Sequence, residues 1–185
     1  MSVFKDHKIS LKQVLEFVPK ALLSHLSATT KVDYYSKVLH GKKMFYLLLF
    51  CIFDNEKLSQ RTLEDTFNSS GFKALFGLGE EEKVRRSSIS ERLSKIDSHY
   101  FKEIYEQMYG RFSELYSKSE IEKYNLIRVD STIVADTCNK LKEGIDQKSG
   151  KKLVKFSFSF DGILPSGVEV FTAQKYSSEE SALPQ

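Results

Sequence analysis

The stretch "NLIRVDSTIV", residues 125–134, sets Asp130 and Thr132 two positions apart inside an apolar, β-branched run. Side chains alternate faces along a strand. Arg128, Asp130, Thr132 and Val134 therefore share one face, and Ile127, Val129, Ser131 and Ile133 the other. Aspartate is disfavoured in strands, and burying its charge is costly unless it is paired or bound to a metal. The residues leave open an ion pair with Arg128 or Lys155, a strand that begins only near Ser131, simple solvent exposure, or a metal-binding carboxylate on a rigid central strand. Only the last is chemistry. Hard divalent cations take carboxylate oxygens, and a strand supplies the rigidity that such a site demands.

The elements that would position this aspartate change character along the chain. From Ser10 to about Tyr116 the signals are helical. Ser10 with Gln13 reads as a capping box opening a helix through Leu11, Val14, Leu15 and Val18, which Pro19 breaks or restarts. A further helix is expected over Asp33–Leu39. Gly41–Phe53 is apolar on nearly every side and predicts the centre of a bundle, with Asp54 and Asn55 ending it and Ser59 capping the next helix. Ser88 and Glu91 form a second capping box, which predicts a short helix over Ile89–Ile96. Phe101, Ile104, Tyr105, Met108, Phe112 and Leu115 recur at helical steps and predict the last helix of the bundle.

Beyond Ser119 the period shortens to two. In "KFSFSFD", Phe156, Phe158 and Phe160 are expected on the buried face of a strand, and Lys155, Ser157, Ser159 and Asp161 on the open one. "GVEVFTAQ" alternates less cleanly and reads as another strand. With "LIRVDSTIV" this makes three strands joined by turn-rich segments. The expected fold class is α+β, a helical region at 1–119 followed by a β meander at 120–185.

Composition sets broad limits. With 41% hydrophobic and 29% charged residues, the chain falls among ordinary folded proteins rather than disordered or collagen-like ones. The net charge of +3 is small but unevenly spread. Residues 1–50 carry eight lysines against three acids, and in "KLKEGIDQKSGKKLVK" six lysines face only Glu143 and Asp146. Such clusters neutralise phosphates or form a solvated face. Cys51 and Cys138 lack metal-ligand or redox spacing, which suggests a reducing, cytoplasmic setting. The N-terminus has no signal-peptide apolar region. The most apolar run, Met44–Phe53, is about half the length of a membrane helix. His7, His25, His40 and His99 show no paired metal spacing, and there is no Gly-rich phosphate loop.

The run "RVDST", preceded by helical segments containing "LSQRTLEDTF" and "SSISERLSKI" and followed by "KLVKFSFSFDGILPSG", resembles the DDE transposases of bacterial insertion sequences. The group in question has a ribonuclease H-like catalytic domain interrupted by a β-rich insertion. The resemblance extends from about Asp33 onward. It implies a protein that binds the ends of a mobile DNA element, cuts them and joins them to a target. It further implies that Asp130 is the first catalytic carboxylate and a Mg²⁺ ligand, with Thr132 orienting it, and that the strands open a ribonuclease H-like sheet. The family's second Asp and its Glu have no counterpart, because Asp136, Asp161 and Glu169 match neither position. The expectation is an N-terminal portion of a transposase, produced by truncation, frameshift or partial gene assembly. Alone it would not cleave DNA, and its sheet would keep an uncovered apolar face and edge. The alternative is a non-catalytic, nucleoid-associated DNA-binding regulator that competes with an intact transposase or forms mixed oligomers with it. A helical interaction module with an unrelated β extension would require the resemblance to be accidental.

For double-stranded DNA, the best candidate element is the helix after "KVRRSSIS". Lys83, Arg85 and Arg86 precede its expected start, and Ser87, Ser88 and the free N–H groups of a first turn suit phosphate oxygens. A helix-turn-helix arrangement would place Ser90, Glu91 and Arg92 near the bases. A capped surface helix of the bundle explains the same residues without DNA. Lys148, Lys151 and Lys152 flank a turn and would either approach a duplex backbone or serve solubility.

Overall fold

The proline at position 19 sets the first boundary. A computed structural model describes residues 16–54, 58–117, 119, 128–135, 143–161, 164–178 and 181, and in it Pro19 is the N-cap of helix α1, Lys20–Thr29. The Pro19 carbonyl accepts from the N–H groups of Leu22 and Leu23 at 3.0 and 3.3 Å. The proposed capping box at Ser10 and Gln13 lies outside the described residues.

The helix expected over Asp33–Leu39 does not form. Lys31 and Tyr35 adopt positive φ angles of 52° and 66°, and Tyr34 and Ser36 N–H close tight turns on the carbonyls of Lys31 and Asp33. The reason is tertiary. Asp33 turns back to accept the backbone N–H of Gly41, while Val32 and Leu39 are buried on either side of the exposed Tyr34 and Tyr35.

Helix α2, Gly41–Asp54, follows closely where the apolar run predicts it, burying Met44, Tyr46, Leu47 and Cys51. Ile52 and Phe53 at its end are exposed. Gly41 is required by packing, because a Cβ there would lie 2.6 Å from Val32 Cγ1 and 3.1 Å from the Tyr100 ring. Ser59 caps α3, Gln60–Asn68, through its Oγ accepting Thr62 N–H at 3.0 Å, as its type and position predict. Ser69 caps the short α4, Ser70–Phe76, which ends at the left-handed Gly77.

Asn68 then makes a two-way clamp. Its Nδ2 donates to Val84 O at 2.9 Å and its Oδ1 accepts Val84 N–H at 3.0 Å, so the segment entering the next helix is held as if by a neighbouring strand. Helix α5 runs over Arg86–Lys95 with Arg85 as N-cap and no side-chain cap. This corrects the Ser88–Glu91 capping box: Ser88 lies inside the first turn, and Glu91 instead accepts from Lys95 Nζ at 2.6 Å. Helix α6, His99–Ser113, buries Tyr100 and Ile104. Leu115, expected on its apolar stripe, lies beyond its end and is exposed.

The chain divides into two compact units, 1–108 and 109–185, and the division falls within α6. The first has one core, built from Leu23, Leu26, Met44, Leu47, Phe67 and Ile89 among others. Phe72 sits at its aromatic centre against Phe50, Phe67 and Phe76.

In the second unit the described strands are β1 (Arg128–Ala135), β2 (Ile145–Asp146), β3 (Lys152–Phe160) and β4 (Pro165–Phe171), all antiparallel. The two-residue β2 is additional to the three strands expected. Strand β3 is central, with β1 along one side and β4 and β2 along the other. Among the described residues β1 pairs with β3 alone. The alternation of β3 is as predicted but its buried face is reversed. Lys155 and Ser157 are buried, at 2% and 0% exposure, while Phe156, Phe158 and Phe160 are half-buried. The chain after β4 engages Lys155 on this face. Lys155 Nζ donates to Ser178 O at 2.9 Å, and the Phe171 and Tyr176 rings pack 4.5 Å apart.

The fold is α+β, with helices preceding an antiparallel sheet. Among the described residues no helix is long and apolar enough to cross a membrane.

Candidate functional sites

Strand β1 carries Asp130 opposite Phe158 and Thr132 opposite Phe156, so both lie on the face of the three phenylalanines. Asp130 and Thr132 are exposed. Among the described residues the Asp130 side chain forms no ion pair. Lys155, one suggested partner, projects to the other face and is engaged by Ser178. Exposure removes the desolvation argument, since a solvated carboxylate needs neither counter-ion nor metal. Among the described residues no three His, Cys, Asp or Glu side chains gather as a metal-binding group. Glu169 pairs with Ser157 on the opposite face. Asp161 is already engaged, accepting Tyr109 Oη–H at 2.6 Å and Leu164 N–H at 2.9 Å. Asp136 lies outside the described residues.

The basic N-terminus of α5 is the second candidate. Lys83, Arg85, Ser87 and Ser88 are exposed. The first backbone N–H drawn into the helix is that of Ile89, on Arg85 O at 3.1 Å, so the N–H groups of Arg86, Ser87 and Ser88 have no carbonyl within the helix. Arg86 Nε lies 3.3 Å from Glu64 Oε2, yet its side chain stays largely exposed. Ser90 Oγ accepts from Gln60 Nε2 at 3.2 Å.

Arg92, expected near DNA bases, is used inside the fold. Its side chain is 11% exposed, its Nε donates to Leu39 O at 2.8 Å and its Nη2 to Val32 O at 2.6 Å. Burial lowers the guanidinium pKa, and the nearby Asp33 charge opposes that shift. The residue ties the 31–39 segment to α5.

Lys148, Lys151 and Lys152 belong to the sheet unit. Gly150 N–H donates to Gln147 O, and Gln147 N–H to Lys151 O, each at 2.9 Å, forming the turn between β2 and β3. Lys148 and Lys151 are exposed and Lys152 is half-buried.

A feature that helical periodicity concealed lies between residues 30–39 and α5. It is a groove of about 1200 Å³ lined by Lys31, Tyr34, Tyr35, Lys37 and Lys83, among others. The cue in the sequence is "KVDYYSK", two tyrosines between lysines.

Comparison with protein-family models, with curated proteins and with solved structures finds no match to this chain.

Proposed function

We propose that the chain is the DNA-end-binding and first-carboxylate portion of a DDE transposase of a bacterial insertion sequence, acting in the cytoplasm on the nucleoid. The reading rests on the resemblance of "RVDST" and its flanking segments to that family. The observation that carries it is the solvent-open carboxylate of Asp130 on the first described strand of an antiparallel sheet that follows a helical unit. In this reading the sheet is the beginning of a ribonuclease H-like domain. The exposed Lys83, Arg85, Ser87 and Ser88 at the start of α5 bind phosphates, and Lys148 and Lys151 extend the basic surface of the sheet unit.

The residues present do not by themselves fit Mg²⁺. Asp130 is one carboxylate, and a two-metal site needs several oxygen ligands. No cleavage step is therefore assigned to this chain, and the metal belongs to the complete enzyme, with its further carboxylates.

The test has two parts. Fluorescence anisotropy with duplex DNA from the sequence flanking the gene is expected to give binding that weakens steeply with salt, and Lys83→Ala with Arg85→Ala is expected to flatten that dependence. In a cell-based transposition assay of the complete reading frame, Asp130→Asn is expected to abolish activity. Duplex binding that is absent at low salt, or transposition that survives Asp130→Asn, overturns the reading.

A further inference from the structure

We infer that the groove between residues 30–39 and α5 binds unpaired nucleic acid, with Tyr34 and Tyr35 as a stacking platform for bases. This rests on the reading of the helical unit as DNA-binding and assigns it a second mode, which shares Lys83 with the phosphate contacts at the start of α5 and adds base stacking.

The tyrosines are the first argument. Tyr34 is 69% exposed and Tyr35 91%, although a tyrosine ring has a large apolar area that folding ordinarily hides. Their centroids are 4.2 Å apart at an interplanar angle of 65°, an edge-on contact that leaves ring faces open to solvent. Tyr35 is held out on a backbone with φ of 66°, a left-handed conformation unfavourable for a bulky residue, and such strain concentrates at functional positions. The strain persists because the segment is fixed from both ends. Asp33 accepts Gly41 N–H, and Arg92 holds the carbonyls of Val32 and Leu39.

Charge is the second argument. Lys31, Lys37 and Lys83 line the groove and have no acidic partner among the described residues. The acids on its wall are engaged within the fold. Glu91 accepts from Lys95, and Asp97 Oδ1 accepts the backbone N–H of His99 at 2.9 Å. The groove therefore presents more cations than anions beside open aromatic faces, the combination by which proteins hold single strands. A duplex keeps its base faces stacked internally and gives the tyrosines nothing to stack on. An acidic peptide would use the lysines but not the ring faces.

The experiment measures anisotropy of a labelled oligo-dT of about 12 nucleotides (within the range of about 4–16 for a single-strand site) and of a labelled duplex, using the whole chain. Tyr34→Ala with Tyr35→Ala is expected to weaken oligo-dT binding about tenfold or more, with duplex binding unchanged. Tyr34→Phe with Tyr35→Phe should keep wild-type affinity, because stacking uses the ring and not the hydroxyl. Circular dichroism melts verify that each variant folds. If oligo-dT binds the alanine variant as well as wild type, or does not bind wild type while the duplex does, the inference is overturned and the DNA-end reading stands. If neither DNA binds, both fail.

Discussion

Asp33 Oδ1 accepts the backbone N–H of Gly41, so a turn residue eight positions upstream caps the central helix of the bundle. The same carboxylate lies 3.7 Å from His40 Nδ1 and 3.9 Å from Arg92 Nη2. Asp33→Ala removes the cap and leaves Arg92 without its nearest anion. A loss of about 1–2 kcal/mol is expected in urea denaturation. Asp33→Asn keeps an acceptor for Gly41 and should lose less. Equal losses in the two variants would show that the cap itself contributes nothing.

Gly41→Ala raises helix propensity yet drives a methyl group to 2.6 Å from Val32 Cγ1. Overpacking costs about 1–3 kcal/mol against about 1 kcal/mol of propensity, so net destabilisation is expected. Val32→Ala should reduce the penalty in the double variant, and a double-mutant cycle measures that coupling. An additive cycle would mean that the clash is relieved elsewhere.

Arg92 and Lys83 should separate folding from binding. Arg92→Ala leaves the carbonyls of Val32 and Leu39 without their donors, and a loss of about 3 kcal/mol is expected from the charged hydrogen bonds alone. Lys83→Ala should leave the melting temperature unchanged and lower the salt slope of DNA binding by about one. Reduced stability in the Lys83 variant would give that lysine a structural role.

Acid should weaken the helical unit through Glu82. The hydrogen bond from Lys43, reinforced by its charge, holds the Glu82 carboxyl below the ordinary carboxylate range. A depressed folded-state pKa means that the contribution is fully present above the unfolded pKa. It is lost as pH falls through the folded one. The effect is up to about 1 kcal/mol for a partly exposed pair. Denaturant midpoints between neutral pH and pH 3 should fall less for Glu82→Gln than for wild type.

Local signals made much of the helical unit legible. Pro19 and Ser59 act through their own backbone neighbourhoods, and the run from Met44 is apolar at every turn, so each could be read without knowing the rest. The segment from Asp33 to Leu39 could not. Its conformation depends on Gly41 and on Arg92, which lies 53 and 60 positions from the two carbonyls it binds. The start of α5 is set from a distance in the same way: Asn68, 16 positions upstream of Val84, fixes the entering backbone. In β3 the period of two was visible, but period alone does not say which face is covered. The return of the chain at Phe171–Ser178, where Ser178 O accepts from Lys155 Nζ, helps place Lys155 inside. At Asp130 the residue type and strand were legible, whereas its exposure depended on pairing that no local pattern encodes.

The Asn68 clamp also makes the helical unit vulnerable to chemical ageing. Hydrolysis of its amide to a carboxylate would keep an acceptor for Val84 N–H but replace the donor to Val84 O with a charged oxygen facing a carbonyl. Material stored long enough to deamidate at Asn68 would therefore loosen first where the chain enters α5.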